Sequence, residues 1–374
     1  MEICEDTPVP VLHRGRWYFA EKDVWGNTND VIVHCITAGP WGTQQVGVLP
    51  QQQEGEQEPE HAKGIASCPL GIAVAADARV ACFDDNGFVL HQVRAPAGFC
   101  INDVKWCGDS ASVLLVVYGN KTHGDNVAAI DFRSHPQPLV GNYLQPSSSS
   151  ASARASSPCF VSSICSSSNA NSLVVGYATG DIKICDVRFA RPGEEVLRFQ
   201  APPNCGAVSA LASCPAHSNW VAAGYERSPV VRCVNTLSGK SNGALDSGRR
   251  GTTALAFGGV RGNELFSGHL EPNKRAGNCV RRWRMSEGAE GPCFKHLQEL
   301  TGHHGTVTAL AASGNRVYSV GGLVNGHGEC THALSEWTLP TTTDPNDRKR
   351  SSSSGSQGSS ENCRKKWSTR LDIR

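Results

Sequence analysis

The chain predicts an all-β fold built from repeated small sheets, and three observations carry that prediction. A short apolar strand ending in a polar or acidic turn recurs at a period of about 48 residues. Upstream of each recurrence stand further runs of four to seven β-branched, aromatic or small residues, bounded by Gly, Asn and Ser, in the same order. No long apolar stretch has a 3.6-residue period, which excludes a helix-rich fold.

Seven copies align on Cys35, Phe83, Ile130, Cys185, Val234, Trp283 and Trp337, at intervals of 48, 47, 55, 49, 49 and 54 residues. That spacing is the length of a four-stranded propeller blade with its loops. The two long intervals carry insertions, one Ser-rich and one Gly/His/Cys-rich, which connections tolerate. The expected architecture is therefore an all-β propeller, with seven four-stranded blades and a disordered C-terminal tail. The first copy has only 34 residues before Cys35 to supply its inner strands. Arg16-Trp17-Tyr18-Phe19-Ala20 is a candidate for completing the last blade and closing the ring.

Within the copies the strands follow in order. The fifth runs from Val208-Ser209-Ala210-Leu211-Ala212 to Trp220-Val221-Ala222-Ala223-Gly224-Tyr225 and then Val230-Val231-Arg232-Cys233-Val234. The sixth has Thr252 to Phe257 and then Glu264-Leu265-Phe266-Ser267-Gly268. The seventh has Thr306 to Ala312, a Ser313-Gly314-Asn315 turn, and Val317 to Gly322. Glycines ending these strands fit places where a neighbouring chain comes close.

These residues resemble the WD40-repeat family. Gly302-His303 followed by Trp337-Thr338 stands where that family has Gly-His and Trp-Asp, and Ala129-Ile130-Asp131-Phe132-Arg133 and Ile184-Cys185-Asp186-Val187-Arg188 are similar to its Trp-Asp-x-Arg endings with the Trp replaced. The resemblance spans residues 9–339. No intact Trp-Asp pair occurs, and Thr179 and Arg227 stand at the family's turn-Asp position. What the resemblance implies is a propeller that displays binding surfaces.

Composition narrows the classes of function. The 374 residues carry 35 basic and 34 acidic side chains, a formal charge of +1, without the basic excess of a dominant nucleic-acid surface. The N-terminus, Met-Glu-Ile-Cys-Glu-Asp, lacks the basic-then-apolar pattern of a secretory signal, and the longest apolar run, Val113 to Tyr118, is too short to span a bilayer. Sixteen scattered cysteines, several inside strands, are expected as reduced core thiols. The expectation is an intracellular protein, cytoplasmic or nuclear or both, without membrane insertion, whose Asn120-Lys121-Thr122 sequon stays unglycosylated.

Three segments separate by composition. Residues 51–60 are Gln/Glu-rich and 146–158 are Ser/Ala-rich, both expected as flexible inserts. Residues 340–374 form a Ser-rich basic tail, expected to be disordered. Its clusters Arg348-Lys349-Arg350 and Arg364-Lys365-Lys366 have the layout of a two-part nuclear-import signal and are also candidates for contact with RNA, DNA or an acidic membrane. The first cluster, directly before Ser351 to Ser354, also suits a basophilic kinase, and phosphorylation there would oppose the basic charge.

Chemistry finds little footing. His327-Gly328-Glu329-Cys330-Thr331-His332 has zinc-ligating side chains, but no Cys-x-x-Cys accompanies it and its spacing matches no finger or ribbon. No Gly-x-Ser-x-Gly elbow occurs, and Gly258-Gly259 and Gly321-Gly322 open no phosphate-cradling helix. The sequence thus nominates no catalytic, metal or cofactor residue and no small-molecule substrate. For protein contact it nominates the endings Asp131/Arg133 and Asp186/Arg188, which in consecutive blades are similar to the paired boxes of propellers that load substrates onto cullin-type ubiquitin ligases; a salt bridge within the blade is the other reading. It also nominates Arg281, Arg282 and Arg284 around Trp283, since Arg and aromatic side chains carry much interface energy. A non-catalytic scaffold in a multiprotein complex, a ligase substrate receptor and an RNA- or chromatin-associated propeller are the functions in play.

Overall fold

A computed structural model describes residues 11–13, 16–22, 31–36, 43–49, 62–68, 71–107, 113–120, 122, 124–131, 160–167, 172–186, 195–246, 251–269, 278–288, 291–303, 306–324, 330–339 and 364–371. All regular structure among them is strand, and the strands pair antiparallel into seven small sheets. The first sheet is β1 (Val11–His13), β2 (Arg16–Lys22), β3 (Val31–Ile36) and β4 (Thr43–Leu49). The second is β5 (Ala62–Cys68), β6 (Gly71–Ala76), β7 (Arg79–Phe83) and β8 (Val89–Arg94). The third has three described strands, β9 (Cys100–Trp106), β10 (Val113–Asn120) and β11 (Gly124–Asp131).

The fourth comprises β12 (Val161–Ser166), β13 (Ser172–Tyr177), β14 (Ile182–Asp186) and β15 (Glu195–Phe199). The fifth comprises β16 (Val208–Ser213), β17 (Trp220–Tyr225), β18 (Val230–Asn235) and β19 (Ser241–Asp246). The sixth is β20 (Thr252–Gly258), β21 (Glu264–His269), β22 (Asn278–Gly288) and β23 (Gly291–His303). The seventh is β24 (Thr306–Ser313), β25 (Arg316–Val324), β26 (Cys330–Thr338) and β27 (Arg364–Leu371). In every sheet the strands lie side by side in chain order.

Each sheet meets the next through their first strands, from β1 against β5 to β20 against β24. Between consecutive sheets lies one apolar core, six in all among the described residues. This is why second strands such as Gly71–Ala76 are buried along their whole length. A sheet covered on both faces selects continuous apolar runs rather than alternation.

Every aligned residue falls on the third strand of its sheet. From Phe83 to Trp337 each faces back into the core shared with the preceding sheet, as Phe83 does toward Tyr18 and Trp337 toward Phe266. Cys35 does not: it lies in the core shared with the following sheet. The true equivalent is His34, because the fourth strand bulges between the partners of Val33 and His34, as it bulges between those of Cys82 and Phe83 and of Glu336 and Trp337. In a strand a one-residue slip exchanges the faces, so Cys35 and the register position of the first copy lie on opposite faces of the sheet.

Two bulges recur. The second is in the first strand, where Lys63, Asn102, Ser162, Ser209, Thr253 and Thr308 are each left without a ladder partner. A bulge re-aims its side chain, and here several reach the next sheet. The Ser162 hydroxyl donates to the Val208 carbonyl at 2.8 Å, Ser209 to Thr252 and Thr253 to Val307. Between the third and fourth sheets Asp125 bridges instead: it accepts from the Val161 amide at 2.8 Å and from Asn102 Nδ2 at 2.7 Å. The glycines ending second strands lie beside the same seam. A Cβ on Gly176, Gly224 or Gly268 would stand 2.5–2.6 Å from Val208, Thr252 or Val307 of the next sheet. The close neighbour is a side chain wedged from the adjoining sheet.

Two expectations are corrected. Arg16–Lys22 does not complete the last blade; it is the second strand of the first sheet, between β1 and β3. The last sheet takes its fourth strand from the tail instead, where Arg364–Leu371 pairs with β26 (Thr338 opposite Arg364, Leu334 opposite Thr369). Disorder was expected throughout 340–374; for 364–371 the open edge of β26 offers unpaired backbone groups that an extended segment satisfies. The inserts at 51–60 and 146–158 and the rest of the tail lie outside the described residues.

Candidate protein-interaction surface

In the arginine run of the sixth sheet, Arg282 and Trp283 are turned inward. Arg282 grips Glu264 with two charge-assisted bonds, Nε to Oε2 at 2.8 Å and Nη2 to Oε1 at 2.9 Å, both side chains being buried. Arg284 reaches the same carboxylate at 3.2 Å, and Arg281 pairs with Glu299 at 3.0 Å. Trp283 is buried; its indole N–H donates to Ser267 Oγ at 3.1 Å, and that hydroxyl lies 2.8 Å from His269 Nε2. His269 Nδ1 lies 3.2 Å from the Gly251 carbonyl. A carbonyl can only accept, so Nδ1 carries a proton, and in the neutral ring Nε2 is then the acceptor for the Ser267 hydroxyl. The chain Trp283–Ser267–His269–Gly251 thus ties the third strand through the second to the segment entering the sheet. Trp283 and Arg282 serve the sheet; Arg284, with 42% of its side chain exposed, is the most accessible of the four.

Asp131 and Asp186 occupy matching places, each following its aligned residue at the end of the third strand in consecutive sheets. Arg133 and Arg188 lie outside the described residues, as do Arg348, Lys349 and Arg350. Arg364, Lys365 and Lys366 belong to β27. Of the zinc-type segment, 327–329 lie outside the described residues; among those described, no group of three metal-ligating side chains gathers.

Burial favours the neutral form of several thiols and phenols. Burial raises the Cys107 and Cys233 thiols and pushes the Tyr225 phenol up to about 12. At neutral pH they pack as hydrophobes with weak donors. Ten cysteines, Cys107, Cys165 and Cys233 among them, are free thiols.

Nothing in the residue pattern announces where apolar surface is exposed. Six large apolar side chains are exposed among the described residues: Phe88, Val89, Leu90, Phe160, Leu237 and Val260. Phe88 and Leu237 stand in turns from third to fourth strands, Val260 in a turn from first to second, and Val89–Leu90 at the adjoining start of β8. Such turns share one end of an antiparallel sheet, so in a ring of like sheets all five lie on one face; Phe160 lies at the other. Asp131 and Asp186 end strands on the same face. Exposed apolar residues at turns have no periodicity to announce them.

No family model matches the chain, and no curated protein matches it. Solved structures do. The β-propeller domain of Cps50 (Swd1) from Myceliophteria thermophila aligns over 91% of this chain and 98% of its own, with a TM-score of 0.57 and 12% identity. A chain of the mitotic checkpoint complex aligns over 79% and 82%, with a TM-score of 0.57 and 17% identity. The WD40 propeller domain of Doa1 aligns over 85% and 90%, with a TM-score of 0.55 and 12% identity. The radial sheets, the six inter-sheet cores and these likenesses together establish that the chain has the WD40-type β-propeller fold.

Proposed function

We propose that the protein is a non-catalytic scaffold that joins other proteins in a multisubunit assembly. The observation that carries this reading is the gathering of five of the six exposed large apolar side chains on one face of a rigid frame. Apolar groups at the rim of a fixed scaffold cost solvation unless a partner covers them. Ser162, Ser209, Thr253 and Asp125, at the seams between sheets, are engaged in stitching one sheet to the next. One structural neighbour is a chain of a mitotic checkpoint complex, which accords with a propeller inside an assembly.

The test is affinity purification of the tagged full-length chain at low and high salt, with partners identified by mass spectrometry. The expected result is a set of stoichiometric partners retained at high salt. A monodisperse chain that recruits nothing would overturn the reading, and partners lost steeply with salt would favour an RNA- or chromatin-bound propeller. To separate the tail from the fold, residues 341–363 are deleted and β27 kept, since ending the chain at Pro340 also removes the fourth strand of the seventh sheet.

The matching placement of Asp131 and Asp186 supports a second reading, a substrate receptor of a cullin-type ligase. Arg133→Ala with Arg188→Ala should then abolish adaptor binding in a folded protein; unchanged binding removes that reading.

A further inference from the structure

The turn between β7 and β8 presents an aromatic side chain in a way no other described turn does. Phe88 is held at both backbone groups by one residue: its N–H donates to Asp84 Oδ1 at 2.8 Å, and its carbonyl accepts from the Asp84 N–H at 2.9 Å. Asp84 also accepts from the Asn86 N–H at 2.9 Å, and Gly87 N–H closes the turn on the Asp84 carbonyl at 3.1 Å. Gly87 supplies the left-handed φ of 84°. The Phe88 backbone is therefore fixed while 70% of the residue remains exposed.

Beside it the bulge of the fourth strand falls at Leu90, since Cys82 pairs with His91 and Phe83 with Val89. Val89 and Leu90 are both exposed as a result, giving three consecutive large apolar side chains in solvent. The same bulge interrupts the outer edge of β8 and works against addition of a further strand there. What docks here does so through side chains.

Charge narrows the partner. In the third and fourth sheets the aligned residue is followed by Asp-x-Arg; in the second it is followed by Asp84-Asp85-Asn86, which puts two acids in one turn, Asp85 exposed. Two copies of the chain meeting at this turn would bring Asp84 and Asp85 against their own counterparts, which disfavours self-association. We propose that the Asp84–Leu90 knuckle is a docking site for another protein, which receives Phe88 in an apolar cleft rimmed by lysine or arginine. A convex, rigid aromatic anchor loses little conformational freedom on binding, which is the character of an interface hot spot. This surface rests on the scaffold reading and specifies it.

The experiment places p-benzoylphenylalanine at position 88 of the full-length protein, and at the exposed position 260 for comparison, and photocrosslinks in cells. The protein captured is purified and titrated against wild type, Phe88→Ala, Asp85→Lys and Val260→Ala. The expected result is an adduct specific to position 88, a Kd weakened at least about tenfold by Phe88→Ala, a weakening by Asp85→Lys, and no change for Val260→Ala. No adduct beyond that at 260, equal binding by wild type and Phe88→Ala, or tighter binding by Asp85→Lys would overturn the proposal. Sedimentation of wild type showing a dimer lost on Phe88→Ala would overturn it in favour of self-association. If wild type and Phe88→Ala retain the same partners, the scaffold reading stands and the Phe88 surface falls.

Discussion

The sixth and second sheets are built alike and use their side chains in opposite ways. In the sixth, Arg282 and Trp283 are drawn inward onto Glu264 and Ser267, with Arg281 and Arg284 paired to Glu299 and Glu264 beside them. In the second, Phe88-Val89-Leu90 is turned outward into solvent. The residues whose types suggest an interface hold the frame, and residues whose types suggest a core form the surface. Residue type is thus a poor guide to availability; what decides is the strand face and the bulge beside it.

The largest break in this comparison comes from Arg282→Ala. It leaves Glu264 buried with Arg284 as its remaining charge partner, and removing one member of a buried pair costs about 3–5 kcal/mol. Chemical denaturation should show that loss. Replacing both partners together (Glu264→Leu with Arg282→Met) should recover most of it, because the desolvation of both charges disappears. Failure of the double variant to recover would mean that the pair specifies the geometry of the sheet. Next comes the seam to the seventh sheet. Gly268→Val drives a branched side chain into Val307, and overpacking of this kind costs about 1–3 kcal/mol.

How much of this was legible follows from what a strand records in sequence. The period, the third-strand marks from Phe83 onward and second strands such as Trp220–Tyr225 were legible because burial on both faces demands continuous apolar runs. The slip at Cys35 was not, since Val33, Cys35 and Ile36 all suit a buried strand and only the bulge fixes the face. The assignment of Arg16–Lys22 to the first sheet and of Arg364–Leu371 to the seventh depends on which open edge lies nearest, a matter of topology. The candidate surface was least legible. Asp131 and Asp186 stand on the apolar face as strand endings, but nothing in Phe88-Val89-Leu90 distinguishes an exposed turn from one more buried strand.

A third inward-turned polar group sharpens the contrast between compensated and uncompensated charge. Glu264 has arginines; Asp125, at the seam between the third and fourth sheets, has the Val161 amide and the Asn102 side chain. Burial raises its carboxyl above the usual value of 3.8, although both hydrogen bonds act to lower it. A carboxyl raised on folding contributes stability that is fully present below its unfolded value and is lost as pH rises through its folded one. The difference in stability between wild type and Asp125→Asn, followed by denaturation across the acid range, should therefore move against wild type as pH rises through that window. A difference independent of pH would show that the carboxylate is as well solvated folded as unfolded.

The smallest effects lie at the surface, and they test whether exposure alone separates the two sheets. Arg284 shares Glu264 but leaves 42% of its side chain in water, so Arg284→Ala should cost no more than about 1 kcal/mol, in contrast to its buried neighbour two residues before. Phe88→Ala should change stability by no more than about 0.5 kcal/mol, since a side chain 70% exposed loses little burial when cut back. Both can be measured against Arg282→Ala in one denaturant series. If Phe88→Ala destabilised the chain as Arg282→Ala does, its ring would be part of the frame, and the second sheet would differ from the sixth only in degree. If it leaves stability intact, the exposure of Phe88 is not needed for folding, and the reason for keeping an aromatic there lies outside the chain.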